Sequence, residues 1–91
     1  MAEIHLLSVG QVVFSKCGRD KGLPFIILQL EGEYAFLVDG RLRRLDNPKK
    51  KKLRHLQPVK HIDDNVKNSI DEGRHIEDAD FKKALEPFKK E

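Results

Sequence analysis

The sequence predicts a small, mainly β domain, a five-stranded barrel followed by a short α-helical tail. Three observations predict it. Between residues 9 and 59, short apolar runs rich in Val, Ile and Phe alternate with Gly, Asp-Gly and Asn-Pro turn signals, the rhythm of consecutive short strands. After His61 the period changes, with Ile62, Val66 and Ile70 recurring every fourth residue as one stripe of a helix. The chain of 91 residues, 38% apolar, suffices for one small core.

Each element has its own signal. Val9 to Lys16 reads as the first strand, and Cys17 to Gly22 as a glycine-bracketed loop. Pro24 to Glu31 is the second strand. Its consecutive apolar residues Phe25, Ile26, Ile27 and Leu28 require burial on both faces, or the sharp bend of a barrel. Gly32 turns the chain, and in Glu33 to Val38 the residues Tyr34, Phe36 and Val38 alternate with Ala35 and Leu37. Asp39-Gly40 is a two-residue type I′ hairpin signal. Arg41 to Leu45 then becomes the fourth strand, its leucines facing the barrel. Asn47-Pro48 turns again, and Leu53 to Val59 is a fifth strand or a 3₁₀ exit. Closure of the sheet would protect its edges.

In the tail, Asp63 and Asp64 suit a helix N-terminus and Gly73 suits its end. A second helix runs from about Asp78 to Glu86, with Phe81, Ala84, Leu85 and Phe88 on one stripe and Pro87 discouraging continuation. The expected organisation is a barrel over residues 1–60 and a helical appendage over 61–91. That appendage is too short for a core of its own, so it packs on the barrel or reaches a partner.

Several chemistries are excluded. No apolar run approaches the roughly 18 to 20 residues of a membrane span. Met1-Ala2-Glu3 does not open a basic-then-apolar signal peptide. The single Cys17 has no disulfide partner, so the expected location is the cytoplasm. Cys17, His5, His55, His61 and His75 lack zinc-ligand spacing. Ser8, Ser15 and Ser69 have no nucleophile-elbow context. The carboxylates Asp63, Asp64, Glu77, Asp78 and Asp80 stand at helix starts, where capping accounts for them. Gly18 to Gly22 is not a phosphate-binding Walker loop, because Lys21 precedes the second glycine and no Ser or Thr follows. The chain is therefore expected to be a non-enzyme with no metal and no cofactor.

Charge distribution supplies the positive argument. Net charge is only +3. Residues 1–40 carry three basic and five acidic groups, residues 41–61 nine basic and one acidic, and residues 62–91 six basic and nine acidic. A cationic band between acidic flanks is the footprint of a polyanion binder. Arg19 and Lys21 on the first loop can reach phosphate oxygens. In Arg41-Leu42-Arg43-Arg44-Leu45, arginines suited to bidentate phosphate contact interleave with leucines. The run Lys49-Lys50-Lys51-Lys52 has no evident role in a fold and reads as an anion-seeking segment. Phe14, Phe25, Tyr34 and Phe36 read as core, with Tyr34 able to stack on a base if exposed.

The segment Val9-Gly10-Gln11-Val12-Val13-Phe14-Ser15-Lys16-Cys17-Gly18-Arg19-Asp20-Lys21-Gly22 resembles a KOW motif, and Gly18-Arg19-Asp20-Lys21-Gly22 resembles the ribosomal protein L14e-like family in particular. Arg54-His55-Leu56-Gln57-Pro58-Val59 resembles the exit strand of that family, so the likeness covers Val9 to Val59. It implies an SH3-like barrel that binds structured RNA, ribosomal RNA or a ribosome-assembly intermediate, as a monomeric ribonucleoprotein component in translation. Lys16, Arg19, Lys21, Arg41, Arg43, Arg44, Lys49, Lys50, Lys51, Lys52, Arg54 and His55 are the expected RNA-binding residues. The helical tail would be left for a protein partner. The alternative from the same resemblance is a protein-binding KOW module of the transcription-elongation-factor type.

Overall fold

A computed structural model describes residues 7–89; the readings made on Met1-Ala2-Glu3 and His5 lie outside them. Five strands, β1 (Gln11–Ser15), β2 (Pro24–Glu31), β3 (Tyr34–Val38), β4 (Lys49–Lys52) and β5 (Leu56–Ile62), precede two helices, α1 (Asp64–Asp71) and α2 (Asp78–Leu85). A 3₁₀ turn at Leu53–His55 joins β4 to β5, as one of the two readings of the exit segment foresaw. All strands lie in one antiparallel sheet of order β4-β3-β2-β1-β5. The first four form a meander, and β5 returns to the far side of β1, with Val13 opposite both Phe25 and Pro58. Among the described residues no pairing joins β4 to β5, so the sheet is not closed by hydrogen bonds.

Strand alternation divides the apolar residues between two faces. Val12, Ile26 and Val38 meet Val66 of α1 and Phe81 and Leu85 of α2 on one face. Val13, Phe25, Ile27, Ala35, Leu37 and Leu56 cluster on the other, with Leu30 and Leu53 beside them. Burial of β2 on both faces thus agrees with its unbroken apolar run. Among the described residues neither α1 nor α2 contributes to this second cluster; the sheet curls across it. In a flat sheet β4 would lie three strand spacings, about 14 Å, from β1. Yet Lys51 Nζ on β4 donates to the Cys17 carbonyl, two residues past the end of β1, at 2.8 Å. A lysine side chain cannot bridge a flat sheet of that width.

The fourth strand is not where the turn signals put it. Residues 39–48 form a loop, and Asp39-Gly40 opens that loop instead of making a two-residue hairpin. The cause is the Asp39 side chain, whose Oδ1 accepts backbone N–H groups from Arg41 at 2.9 Å and Arg43 at 2.8 Å. A carboxylate that captures two alternate donors, which would point to one side of a strand, competes with a strand ladder for them. Pairing with β3 passes instead to the four lysines, with Lys51 opposite Ala35 and Lys50 opposite Phe36. Lysines on an edge strand oppose edge-to-edge association, which gives this run a structural use. Leu42, expected in the core, is 76% exposed.

The tail packs on the sheet. Asp63 caps α1 by accepting the Val66 N–H at 3.0 Å, and Asp64 sits in the first turn. Gly73 ends α1 with a φ of +70°, and the Arg74 N–H bonds back to the Ser69 carbonyl at 2.8 Å, a Schellman closure. Helix α2 begins with the Asp80 carboxylate accepting the Glu77 N–H at 2.8 Å. Asp78 Oδ1 accepts the Leu45 N–H at 2.8 Å and so ties the 39–48 loop to α2. Gly40 is buried beneath this junction at a φ of +80°, where a Cβ would collide with the Asp78 carbonyl oxygen. The radius of gyration, 11.9 Å, is that of a tail folded back, since a compact chain of this length gives about 12 Å.

Candidate nucleic-acid interface

The loop between β1 and β2 is built around one carboxylate. Gly18 and Gly22 take left-handed backbone, φ +87° and +86°, and the Gly22 N–H bonds to the Ser15 carbonyl at 2.8 Å. This fold of the loop turns Asp20 inward, to a side-chain exposure of 12%. Ser15 Oγ lies 2.6 Å from Asp20 Oδ1 and 3.0 Å from the Cys17 carbonyl; its one proton goes to the carboxylate, the shorter and charge-assisted contact. Lys51 Nζ donates to the same Oδ1 at 2.9 Å. Lys49 Nζ stands 3.3 Å from Oδ2, an ion-pair distance without hydrogen-bond alignment. Burial raises the Asp20 pKa, but the contacts with Ser15, Lys51 and Lys49, with the Lys51 charge, outweigh it and hold the carboxyl at about 2.

The consequence for the lysine run is a division by strand parity. Lys51 is buried, with its ammonium turned inward onto the Cys17 carbonyl and the Asp20 carboxylate, so its assignment as a phosphate contact is corrected. Lys49 is half-buried and shares Asp20. Lys50, on the opposite side of the strand, is exposed, with its ammonium 4.5 Å from the Tyr34 ring centroid and 5.9 Å from that of Phe36. The two rings are half-buried and already carry a cation of their own chain.

The other cations divide between two places. Lys16, Arg19 and Lys21 are exposed on the glycine loop. The Lys16 N–H donates to the His55 carbonyl at 2.8 Å, bringing half-buried His55 and exposed Arg54 beside that loop. Arg41, Arg43 and Arg44 sit on the separate 39–48 loop. Arg43 is half-buried with its guanidinium 3.5 Å from the Asn47 carbonyl, and Arg44 lies 3.6 Å from Asp78. Lys52 is half-buried at the end of β4, next to the 3₁₀ turn. The structure therefore brings Lys16 beside His55 and its neighbour Arg54, keeps Arg19 and Lys21 on the same loop as Lys16, and places Arg41 of the 39–48 loop near Lys21, while Arg43 and Arg44 turn to Asn47 and Asp78. Asp20 escaped the sequence reading. The one available signal was an acid enclosed by the cations Arg19 and Lys21 in a glycine loop.

Among the described residues no group of three or more His, Cys, Asp or Glu side chains is placed to hold a metal, and no helix is long and apolar enough to cross a membrane. The chain matches no protein-family model, and no curated protein sequence matches it.

Proposed function

We propose that this protein is a non-catalytic RNA-binding module with an SH3-like barrel of the KOW type, akin to the L14e-like ribosomal proteins. The fold part of this reading is supported by the meander, the 3₁₀ turn before β5, the return of β5 to β1 and the curl of the sheet. The observation that carries the function is the exposure of Lys16, Arg19 and Lys21 on one glycine loop, which the Lys16–His55 backbone bond holds beside the 3₁₀ turn that carries exposed Arg54. Phosphates of a structured RNA, ribosomal RNA or an assembly intermediate, displace counterions from this cluster, and 2′-hydroxyl and shape contacts supply selectivity. The Asp20 clamp contributes by holding the loop in one conformation, so the cations are ordered before RNA arrives.

The test is affinity for a ribosomal RNA fragment as a function of salt. Engagement of about five phosphates gives a log–log slope of about −3.5 to −4.5. The triple variant Arg19→Glu, Lys21→Glu, Arg54→Glu is expected to lose binding and keep its fold, because all three side chains are exposed. A salt-independent affinity, or an unchanged one in that variant, refutes the proposal. Reversing the whole lysine run is the poorer experiment, since it breaks the Lys51–Asp20 contact along with the surface charge.

A further inference from the structure

Among the described residues two large apolar side chains are exposed, Leu42 at 76% and Leu23 at 39%. They come from different loops, 39–48 and 16–23, yet line the same groove. Pro24 and the C-terminal end of α2 at Leu85 complete an open depression of about 540 Å³. Its rim carries Lys21, Arg41 and Lys89. Exposed leucines occur singly on most surfaces and mean little there. These two are instead brought together in a concave groove rimmed by cations, where one apolar side chain of a partner could be enclosed.

The charge around the groove is mainly positive, three cations against one carboxylate. Lys21, Arg41 and Lys89 are all exposed, and none has an ion-pair partner among the described residues. The one acid in the lining, Asp39, is held by the backbone N–H groups of Arg41 and Arg43 at its Oδ1 and leaves the rim with a net positive charge. The floor is aliphatic. It presents no ring on which a base could stack and no side-chain donor for a base edge, so nucleic acid would gain from the rim alone.

We infer that this groove, lined by Leu23, Leu42, Pro24 and Leu85 and rimmed by Lys21, Arg41 and Lys89, docks a short acidic peptide segment of another protein that inserts an apolar side chain. The leucines take the apolar anchor and the three cations take flanking carboxylates. This site goes beyond RNA binding and stands independently of it, although Lys21 contributes to both surfaces. The 39–48 loop is fit for such a role because Asp39 and the Leu45–Asp78 hydrogen bond hold it open and fixed while leaving Leu42 outward.

The experiment is a titration of the ¹⁵N-labelled protein with a hexapeptide of four glutamates flanking a central Leu-Phe pair, followed by amide shifts. Saturable shifts at Leu23, Leu42 and Leu85 are expected. Leu42→Ser should weaken the peptide about tenfold, in keeping with the loss of one buried leucine contact. It should leave RNA affinity and the unfolding midpoint unchanged, because Leu42 is exposed and outside the cluster at Lys16, Arg19 and Arg54. A control peptide with Ser in place of Leu and Phe should bind at least tenfold more weakly. The inference is overturned by equal binding of the control peptide, by an unchanged affinity in Leu42→Ser, by an equal loss of RNA binding in that variant, or by a concentration-dependent dimer that Leu42→Ser dissolves. Loss of peptide binding with RNA binding intact, or the reverse, separates this site from the RNA surface.

Discussion

At the scale of single residues the decisive group is Asp20. Its folded pKa of about 2 lies below the ordinary carboxylate value of 3.8, so its ionised form is stabilised by folding. That contribution is fully present above about pH 4 and is lost as pH falls towards 2, amounting to about 2 kcal/mol. Urea denaturation at pH 7, 4 and 2.5 is expected to show the wild type losing over half of this increment between the lower two values. Asp20→Asn should lack that part of the acid dependence and be less stable at pH 7. Equal acid dependence of the two proteins would contradict the clamp. Arg19 and Lys21 could be picked out in the sequence as loop cations. The acid between them could not be assigned, because its partners Lys49 and Lys51 lie about thirty residues away and only the curled sheet joins them.

At the scale of elements, β4 shows how pairing changes the meaning of a sequence. Four consecutive lysines have one composition but two environments, since successive side chains point to opposite faces. Lys51→Met removes the partner of a buried carboxylate and is expected to cost about 3 kcal/mol. Lys50→Met gives up a cation–π contact at a solvated edge and is expected to cost under about 1 kcal/mol. Thermal or urea unfolding of the two variants side by side checks the difference; equal losses would contradict the parity. The strands β1, β2 and β3 and both helices follow their local signals, Asp63 and Gly73 included, but β5 runs on through His61 and Ile62, so Ile62, expected on the helical stripe with Val66 and Ile70, pairs with Gln11 of β1 instead. Arg41 to Leu45 does not follow its signal either. Its strand-like alternation was overridden by the Asp39 carboxylate, which holds the donors a ladder would need.

At the scale of the molecule, the tail is half of one core. Phe81 is fully buried against Val12, Ile26 and Val38 from three strands. Phe81→Ala is expected to cost about 3 to 5 kcal/mol, a large share of the about 5 to 15 kcal/mol that holds a domain of this size together. Sheet and helix signals should move together to a lower urea midpoint. A sheet transition left at its original midpoint while the helices melt would make residues 61–89 a dispensable appendage. Packing of the tail also decides which surfaces remain open: α1 and α2 cover one face of the sheet, and the end of α2 becomes one wall of the leucine groove.

The sequence by itself determined the β-then-α order, the burial of β2 on both faces, the helix boundaries and the placing of positive charge in the middle of the chain. These are short-range properties, written in periodicity, turn chemistry and charge within a few residues. Only the tertiary structure decided which lysines are structural, that the sheet stays open, that residues 41–45 form a loop and not a strand, and that Leu23 and Leu42 share a groove. Each depends on contacts between residues far apart in the chain, and those are fixed by the curl of the sheet and the docking of α2.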